Sequence, residues 1–112
     1  MKPRTIAIGT AWLALTLAAA VPPGHAEEAA QVVIAQQRFL PAKLSVKAGT
    51  TVTWVNAERR SGHAVRSTGR ANFASPILMP GQSWALTFDK PGVYPYACGP
   101  HPEMQGTIEV IE

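Results

Sequence analysis

The residues with the most distinctive chemistry lie close together near the C-terminus. Cys98, His101 and Met104 follow one another at three-residue intervals, in the pattern Cys-x-x-His-x-x-Met. Cys98 is the single cysteine of the sequence, so it has no internal partner for a disulfide. The residues between Cys98 and Met104 include glycine and proline, which do not continue a strand. The chain is therefore expected to turn here and to bring the three side chains together.

A thiolate, an imidazole and a thioether are ligands for soft metal ions. A second imidazole would complete the His₂Cys set with a weak axial methionine that is typical of electron-transfer copper sites. Beyond the N-terminal 26 residues, the sequence has one other histidine, His63, at the start of a predicted strand. The sequence therefore predicts one copper ion in a type 1 site formed by His63, Cys98, His101 and Met104.

Other interpretations of these residues fit the sequence less well. Zinc prefers four strong ligands, or three ligands and a water molecule, and Met104 is a poor fourth ligand. Cys98 and His101 resemble a nucleophile and its base, but the sequence offers no third group to orient the base. Asp89 and Glu103 are isolated carboxylates, so no general acid–base pair is evident. We therefore predict that the protein is not an enzyme.

Short strands must position these ligands, because no segment after the N-terminal region has sustained helical periodicity. Three alternating runs predict strands with one buried face: Leu44 to Val46, Val52 to Trp54, and Trp84 to Phe88. Four further runs complete a set of about seven strands: residues 31–35, 63–67, 92–98 and 107–111. Turn sequences such as Pro80-Gly81 and Pro91-Gly92 separate the strands. The predicted fold is an all-β sandwich.

The predicted strand before the ligand loop indicates where the thiol points. Tyr94, Tyr96 and Cys98 have the same parity along this strand, so their side chains share one face. If the tyrosines face the core, Cys98 also points inward at the end of the strand. Without a metal, it would be an ordinary buried cysteine.

The first 26 residues have the layout of a secretory signal peptide. Lys2 and Arg4 precede an apolar stretch that ends before Pro22-Pro23, and small residues around Ala26 fit a cleavage site. The apolar stretch is slightly short for a membrane span. We therefore predict cleavage, no stable membrane insertion, and a single domain of residues 27–112 in the periplasm; a retained anchor is the alternative.

The charge of the predicted domain argues against one class of partner. Loss of Lys2 and Arg4 lowers the formal net charge from +3 to about +1. The remaining basic residues are scattered, and Arg59-Arg60 is the only adjacent pair. A nucleic-acid partner is therefore not expected.

Over nearly all of residues 31–111, the chain resembles the cupredoxins, or blue copper proteins, of the plastocyanin and amicyanin type. The two-residue gap between His101 and Met104 is similar to that of amicyanins. The resemblance implies a Greek-key β-sandwich, and by position it gives His63, Cys98, His101 and Met104 as the copper ligands. It rests on Phe39-x-Pro41-x-x-Leu44-x-Val46-x-x-Gly49-x-x-Val52-x-Trp54-x-Asn56, then His63, then Pro80-Gly81, and then Phe88-x-x-Pro91-Gly92-x-Tyr94-x-Tyr96-x-Cys98-x-x-His101-x-x-Met104-x-Gly106.

Two positions differ from the family pattern. Ala64 stands where the family usually has an asparagine that ties the ligand-bearing segments together, so we expect looser hydrogen bonding there. Glu103 stands where amicyanin-like loops have a bulky apolar residue, so the surface beside His101 should be less apolar. The change at Glu103 argues against carrying over a family partner such as an amine dehydrogenase.

The resemblance implies a periplasmic electron carrier that uses the Cu(I)/Cu(II) couple. We expect a monomer with transient redox protein partners. The alternative is a copper carrier or storage module without a redox role. Carriers tend to have Met-rich or His-rich binding motifs, whereas Met104 is the one well-placed methionine here and Met79 lies beside Pro80.

Overall fold

The computed structural model describes residues 28–112, so the predicted signal peptide at residues 1–26 lies outside the described part of the chain. Within residues 28–112, no helix is long and apolar enough to cross a membrane. Eight β-strands follow one another: β1 Ala29–Ala35, β2 Arg38–Leu40, β3 Lys43–Lys47, β4 Thr50–Asn56, β5 Arg66–Ser67, β6 Ser83–Phe88, β7 Gly92–Ala97 and β8 Gln105–Ile111.

The strands form two four-stranded sheets, in the orders β2-β1-β4-β6 and β3-β8-β7-β5. β1 runs parallel to β4, and β3 runs parallel to β8, whereas β4–β6 and β7–β8 are antiparallel pairs. Several strands that follow each other along the chain, such as β3 and β4, lie in different sheets, whereas β1 and β2 pair in one sheet and β7 and β8 pair in the other. The predicted all-β sandwich is confirmed.

The prediction of about seven strands missed β2. This strand has only three residues, with a single buried side chain, Phe39, between two exposed ones. It pairs with β1 across a two-residue turn formed by Gln36 and Gln37. Three residues are too few for an alternating pattern to be recognised in the sequence, so the strand is defined by its pairing.

The predicted strand 63–67 is shorter than expected. Only its last two residues pair with β7, while His63 forms an isolated bridge with Leu78. The pairing changes from Leu78 to β7 between His63 and Arg66, because the Ala64 N–H is donated to the sulfur of Cys98 and not to a strand carbonyl. The interruption of the strand therefore coincides with the predicted metal ligands.

Aromatic rings fill the space between the sheets. The ring of Tyr96 on β7 lies edge-on to Phe39 at 4.7 Å and to Trp54 at 5.4 Å between centroids. Tyr96 pairs with Gly106 on β8, and a Cβ atom at Gly106 would lie only 2.4 Å from the tyrosine ring. Glycine is therefore required at this position for the ring to lie across the neighbouring strand.

The strands finish at two opposite ends of the sandwich, and the ligand loop lies at one of them. β1, β4 and β7 finish at one end, where the loop 98–104 follows β7. We call this the site end. β3, β6 and β8 finish at the opposite end, where Lys47 pairs with Ile111. We call this the far end.

The hydroxyl of Tyr96 is buried among these rings. Neither this hydroxyl nor Nε1 of Trp54 has a hydrogen-bond partner among the described residues. Burial raises the pKa of Tyr96 from 10.0 to about 12, because the phenolate would lose its hydration. The nearby Trp54 N–H lowers this pKa slightly, although it lacks the geometry of a hydrogen bond.

We expect Tyr96 to make folding stability decrease in alkaline solution. Between pH 10 and about 12, the folded protein keeps the Tyr96 proton and the unfolded chain loses it. The free energy of unfolding should therefore fall by up to about 1.4 kcal/mol per pH unit in this window. Tyr96→Phe should remove this component, which urea unfolding at pH 7, 10 and 11 would measure.

Tyr94→Phe is the matched control for this experiment. Tyr94 is only partly buried, and its hydroxyl donates a hydrogen bond to the Lys90 carbonyl. This variant should keep the alkaline decline of the wild-type protein. An equally steep decline in Tyr96→Phe would contradict the prediction.

Candidate metal centre

Three of the predicted ligand residues converge at the site end. Nδ1 of His63 lies 3.6 Å from Sγ of Cys98, and Nδ1 of His101 lies 3.7 Å from the same sulfur. The three ligand atoms all lie within 4.8 Å of one another. Cys98 and His63 are buried, at 1% and 0% exposure, whereas His101 is partly exposed. One thiol and two imidazoles therefore surround a single point, and one of the imidazoles reaches the surface.

The loop 98–104 is closed by its own backbone. The Cys98 N–H donates to the Met104 carbonyl at 3.0 Å, and the Met104 N–H donates to the His101 carbonyl at 2.9 Å. Met104 is buried and belongs to the same core cluster as Cys98. The turn predicted from glycine and proline is thus present, and the expected inward direction of Cys98 beside the buried Tyr96 is correct.

His63 is held in place by two neighbouring segments. Its N–H donates to the Leu78 carbonyl at 3.0 Å, and its carbonyl accepts the Leu78 N–H at 2.6 Å. The next residue, Ala64, donates its N–H to Sγ of Cys98 at 3.4 Å. A backbone group therefore links the two ligand-bearing segments at the position where the family usually has asparagine.

The side chain of Asn56 fixes the loop between β4 and His63. Asn56 is fully buried, and its Nδ2 donates to the carbonyls of Ser61 and Leu78, each at 2.8 Å. Its Oδ1 accepts the N–H of Glu58 at 2.9 Å. Sequence reasoning noted Asn56 only as part of a family pattern, because its three partners are brought together by the fold.

A carboxylate that the sequence analysis did not single out contacts His63. Oε2 of Glu58 lies 3.0 Å from Nε2 of His63 and accepts the Gln37 N–H at 2.8 Å. The Gln37 N–H, and then the contact with His63, lower the pKa of Glu58 and outweigh the opposing effect of burial. Glu58 is therefore anionic at neutral pH. It favours the tautomer in which Nε2 of His63 carries the proton and Nδ1 is free to face Cys98.

The Gln37 N–H that Glu58 accepts belongs to the turn between β1 and β2. Gln36 and Gln37 have φ angles of 53° and 57°, in the left-handed region that side chains other than glycine rarely adopt. Two consecutive residues of this kind form the tight turn of a two-residue hairpin. The unfavourable conformation persists at a point where the Gln37 N–H meets Glu58, next to His63.

The donor set suits copper. Two imidazole nitrogens and a thiol surround one point, with a buried thioether in the same loop, and this is the combination found in copper electron-transfer sites. Residues 5–110 match the family model of the cupredoxin-like domain. The chain belongs to the cupredoxin-like family. The matched residues include both the β-sandwich and the loop that carries the donors.

Known cupredoxins resemble this chain in sequence and structure. Amicyanin from Paracoccus denitrificans is 39% identical over 88 residues, which cover 76% of this chain and 67% of that protein. A solved Cu(I) form of an amicyanin variant has a TM-score of 0.69 and 37% identity, and the match covers 83% of this chain and 88% of that chain. The predicted amicyanin-like character and the copper cofactor are confirmed. The assignment of the four ligands stays a prediction.

The fold also occurs in a larger copper protein. A Cu-containing nitrite reductase from Thermus scotoductus matches with a TM-score of 0.73 and 32% identity. The match covers 86% of this cupredoxin but only 26% of that chain. The similarity therefore concerns one domain of the larger protein.

We expect Glu58→Ala to weaken the retention of copper by this cupredoxin. Without the carboxylate, His63 loses the partner that fixes its tautomer and ring orientation. Copper should be released about 10- to 100-fold faster, the range typical for loss of such a partner. The rate is measured as the loss of visible absorbance when a strong chelator is added.

Two further variants make this experiment specific. Glu58→Gln keeps an amide oxygen that accepts from Nε2 of His63, so its release rate should be intermediate. Glu103→Ala removes an exposed carboxylate from the ligand loop and should keep the wild-type rate. Equal release rates for Glu58→Ala and Glu103→Ala would mean that the contact with His63 has no role in holding the metal.

Proposed function

We propose that this cupredoxin carries single electrons between transient protein partners, with one copper ion held by His63, Cys98, His101 and Met104. The observation that carries the proposal is the convergence of both histidine Nδ1 atoms on Sγ of Cys98. When bound, copper supplies a one-electron Cu(I)/Cu(II) couple. The relatives named above, which include a Cu(I) amicyanin, support this function.

Each ligand residue has its own task in this proposal. Cys98 provides the covalent thiolate ligand, and the Ala64 N–H stabilises the negative charge on its sulfur. His63 and His101 provide the two imidazole nitrogens. Met104 would supply a weak fourth ligand, whose thioether would tune the reduction potential of the bound copper.

The surrounding contacts hold these side chains still when the charge of the site changes. His63 is fixed at its backbone by Leu78 and at Nε2 by Glu58. The loop 98–104 is fixed by its internal hydrogen bonds. Ligands whose positions are set in advance need little rearrangement at each transfer, which favours rapid electron exchange.

His101 is the edge through which electrons enter and leave. It is partly exposed, whereas His63 is fully buried. The flanking residues Pro100 and Pro102 are also exposed and restrict the conformations of the loop. A partner that packs against this loop comes closest to the site at the His101 ring.

The alternative role in copper transport or storage has less support. A carrier needs ligands that exchange readily, but His63, Cys98 and Met104 are all buried. Met79 is half-exposed, yet a single exposed thioether does not make a Met-rich binding motif. An enzymatic role is also not proposed, because catalytic metal sites keep a position open for substrate or water, whereas the site proposed for this chain has four side-chain ligands.

The proposal also covers the cellular location and the oligomeric state of the protein. Residues 1–26 direct the chain to the periplasm and are removed, and residues 27–112 act there as a monomer. The charged start, apolar stretch and small residues of the leader support export. The free thiol of Cys98 is buried, and binding to a metal would protect it from oxidation in that compartment.

The first test is the visible spectrum of residues 27–112 after addition of Cu(II). We expect an intense blue or green absorption from thiolate-bound copper, and Cys98→Ser should abolish it. Met79→Leu, which removes the exposed thioether, should keep the colour. A colourless wild-type protein would show that the four side chains do not bind copper together.

A second test concerns the proposed electron-transfer edge. We expect His101→Gly to retain copper through the three remaining ligands but to exchange electrons more slowly, because the imidazole that reaches the surface is missing. Electron self-exchange measured by NMR line broadening, with wild-type protein as the reference, gives the rate. An unchanged rate would contradict the assignment of His101 as the edge.

A further inference from the structure

We propose that arginines at the site end dock an acidic face of the redox protein partner. The docking surface consists of Arg38, Arg59 and Arg60, and we call it the arginine patch. The inference rests on the proposed electron-transfer function, because it assumes a partner that must approach His101 at this end of the molecule.

Apart from Arg70 and the ion pair of Lys43 with Glu109, the charged residues of the described chain are divided unevenly between the two ends of the sandwich. The site end has four arginines and two glutamates, so its formal charge is positive. The far end has two lysines and three acidic residues, so its formal charge is negative. The residues at the site end are Arg38, Arg59, Arg60 and Arg66 with Glu58 and Glu103, and those at the far end are Lys47 and Lys90 with Glu28, Asp89 and Glu112.

The arginines of the patch keep their charge at the surface. Arg38, Arg59 and Arg60 are all exposed, and none of them belongs to an ion pair within residues 28–112. Glu58 is next to Arg59 in the sequence, but its side chain is only 16% exposed and its Oε2 contacts the Gln37 N–H and His63. The carboxylate beside Arg59 in the sequence is therefore already occupied.

Two depressions lie beside the arginines of the patch. Arg59 and Arg60 line a groove of about 540 Å³ that also includes Glu58. Arg38 lines a second depression, of about 290 Å³, together with Met104 and the exposed Glu103, with which it forms no ion pair. A partner seated on the patch would therefore contact the loop that leads to His63 as well as the ligand loop.

An acidic protein surface fits the chemistry of this patch. Guanidinium groups bind carboxylates through two parallel hydrogen bonds, which orients the two proteins. Attraction between opposite charges also speeds the encounter without requiring a long-lived complex, which suits an electron carrier. An anionic membrane has a similar charge but contains no redox group to meet the exposed edge of His101. We therefore assign the patch to a protein.

A charge-reversed form of the protein itself can serve as the acidic redox partner. Reduced wild-type protein is mixed with the oxidised double variant Arg59→Glu, Arg60→Glu, and the rate of electron exchange between them is measured by NMR line broadening. The matched control is Lys47→Glu, Lys90→Glu. This control changes the net charge by the same amount, but at the far end.

At an ionic strength of about 10 mM, wild-type protein should exchange about tenfold faster with the Arg59/Arg60 variant than with the control. The difference should disappear at about 0.5 M salt, where charges are screened. Equal rates with both variants would overturn the proposal, because only the net charge would then matter. Failure of wild-type protein to exchange with itself would count against the electron-transfer function and not against the patch.

A second measurement does not depend on copper or on electron exchange. The ¹⁵N-labelled copper-free protein is titrated with hexacyanochromate(III), a paramagnetic trianion that broadens the amide signals near its binding site. Broadening should centre on residues 38, 59 and 60, persist in the far-end control and disappear in the Arg59/Arg60 variant. Broadening centred on Lys47 and Lys90 would overturn the proposal.

The membrane alternative has its own test. Wild-type protein and the Arg59/Arg60 variant are sedimented with phosphatidylglycerol vesicles at physiological ionic strength. We expect neither to bind. Binding by the wild-type protein alone would assign the patch to a lipid surface and overturn its assignment to a protein partner.

Discussion

The buried amide of Asn56 is the constraint on which the geometry of the metal centre depends. It lies at the end of β4 and bonds to carbonyls on both sides of His63, one in the preceding loop and one in the segment that pairs with His63. Loss of these bonds would leave polar groups unpaired in the core, at a cost of about 1–3 kcal/mol each. β4 and β7 lie in different sheets, so Asn56 determines how His63, which follows β4 in the chain, meets Cys98 at the end of β7.

The loop after β4 also separates two kinds of charge. Glu58 lies against the interior, where its carboxylate accepts hydrogen bonds and orients the imidazole of His63. The next two residues, Arg59 and Arg60, remain exposed. One short segment therefore holds the predicted metal ligand His63 on its inner side and presents positive charge on its outer side. Because the two functions use different side chains, either can change without loss of the other.

Much of this arrangement could be predicted from local patterns. The alternation in β4 identified Val52 and Trp54 as buried, and the parity of Tyr96 and Cys98 identified the inward direction of the thiol. Glycine and proline after Cys98 indicated the turn that closes the ligand loop. These predictions hold because strand alternation and turn formation depend on neighbouring residues, whose effects are already present in the sequence.

The sequence by itself determined the β-sandwich and the family, and it predicted the set of metal donors. Only the tertiary structure decided how His63 is held. Gln37 and Glu58 are 21 residues apart, and Asn56 and Leu78 are 22 apart. β2 is likewise a strand only because it pairs with β1. Such contacts form only when distant segments are packed together. A hydrogen bond between two ordinary polar residues leaves no local sequence pattern from which it could be predicted.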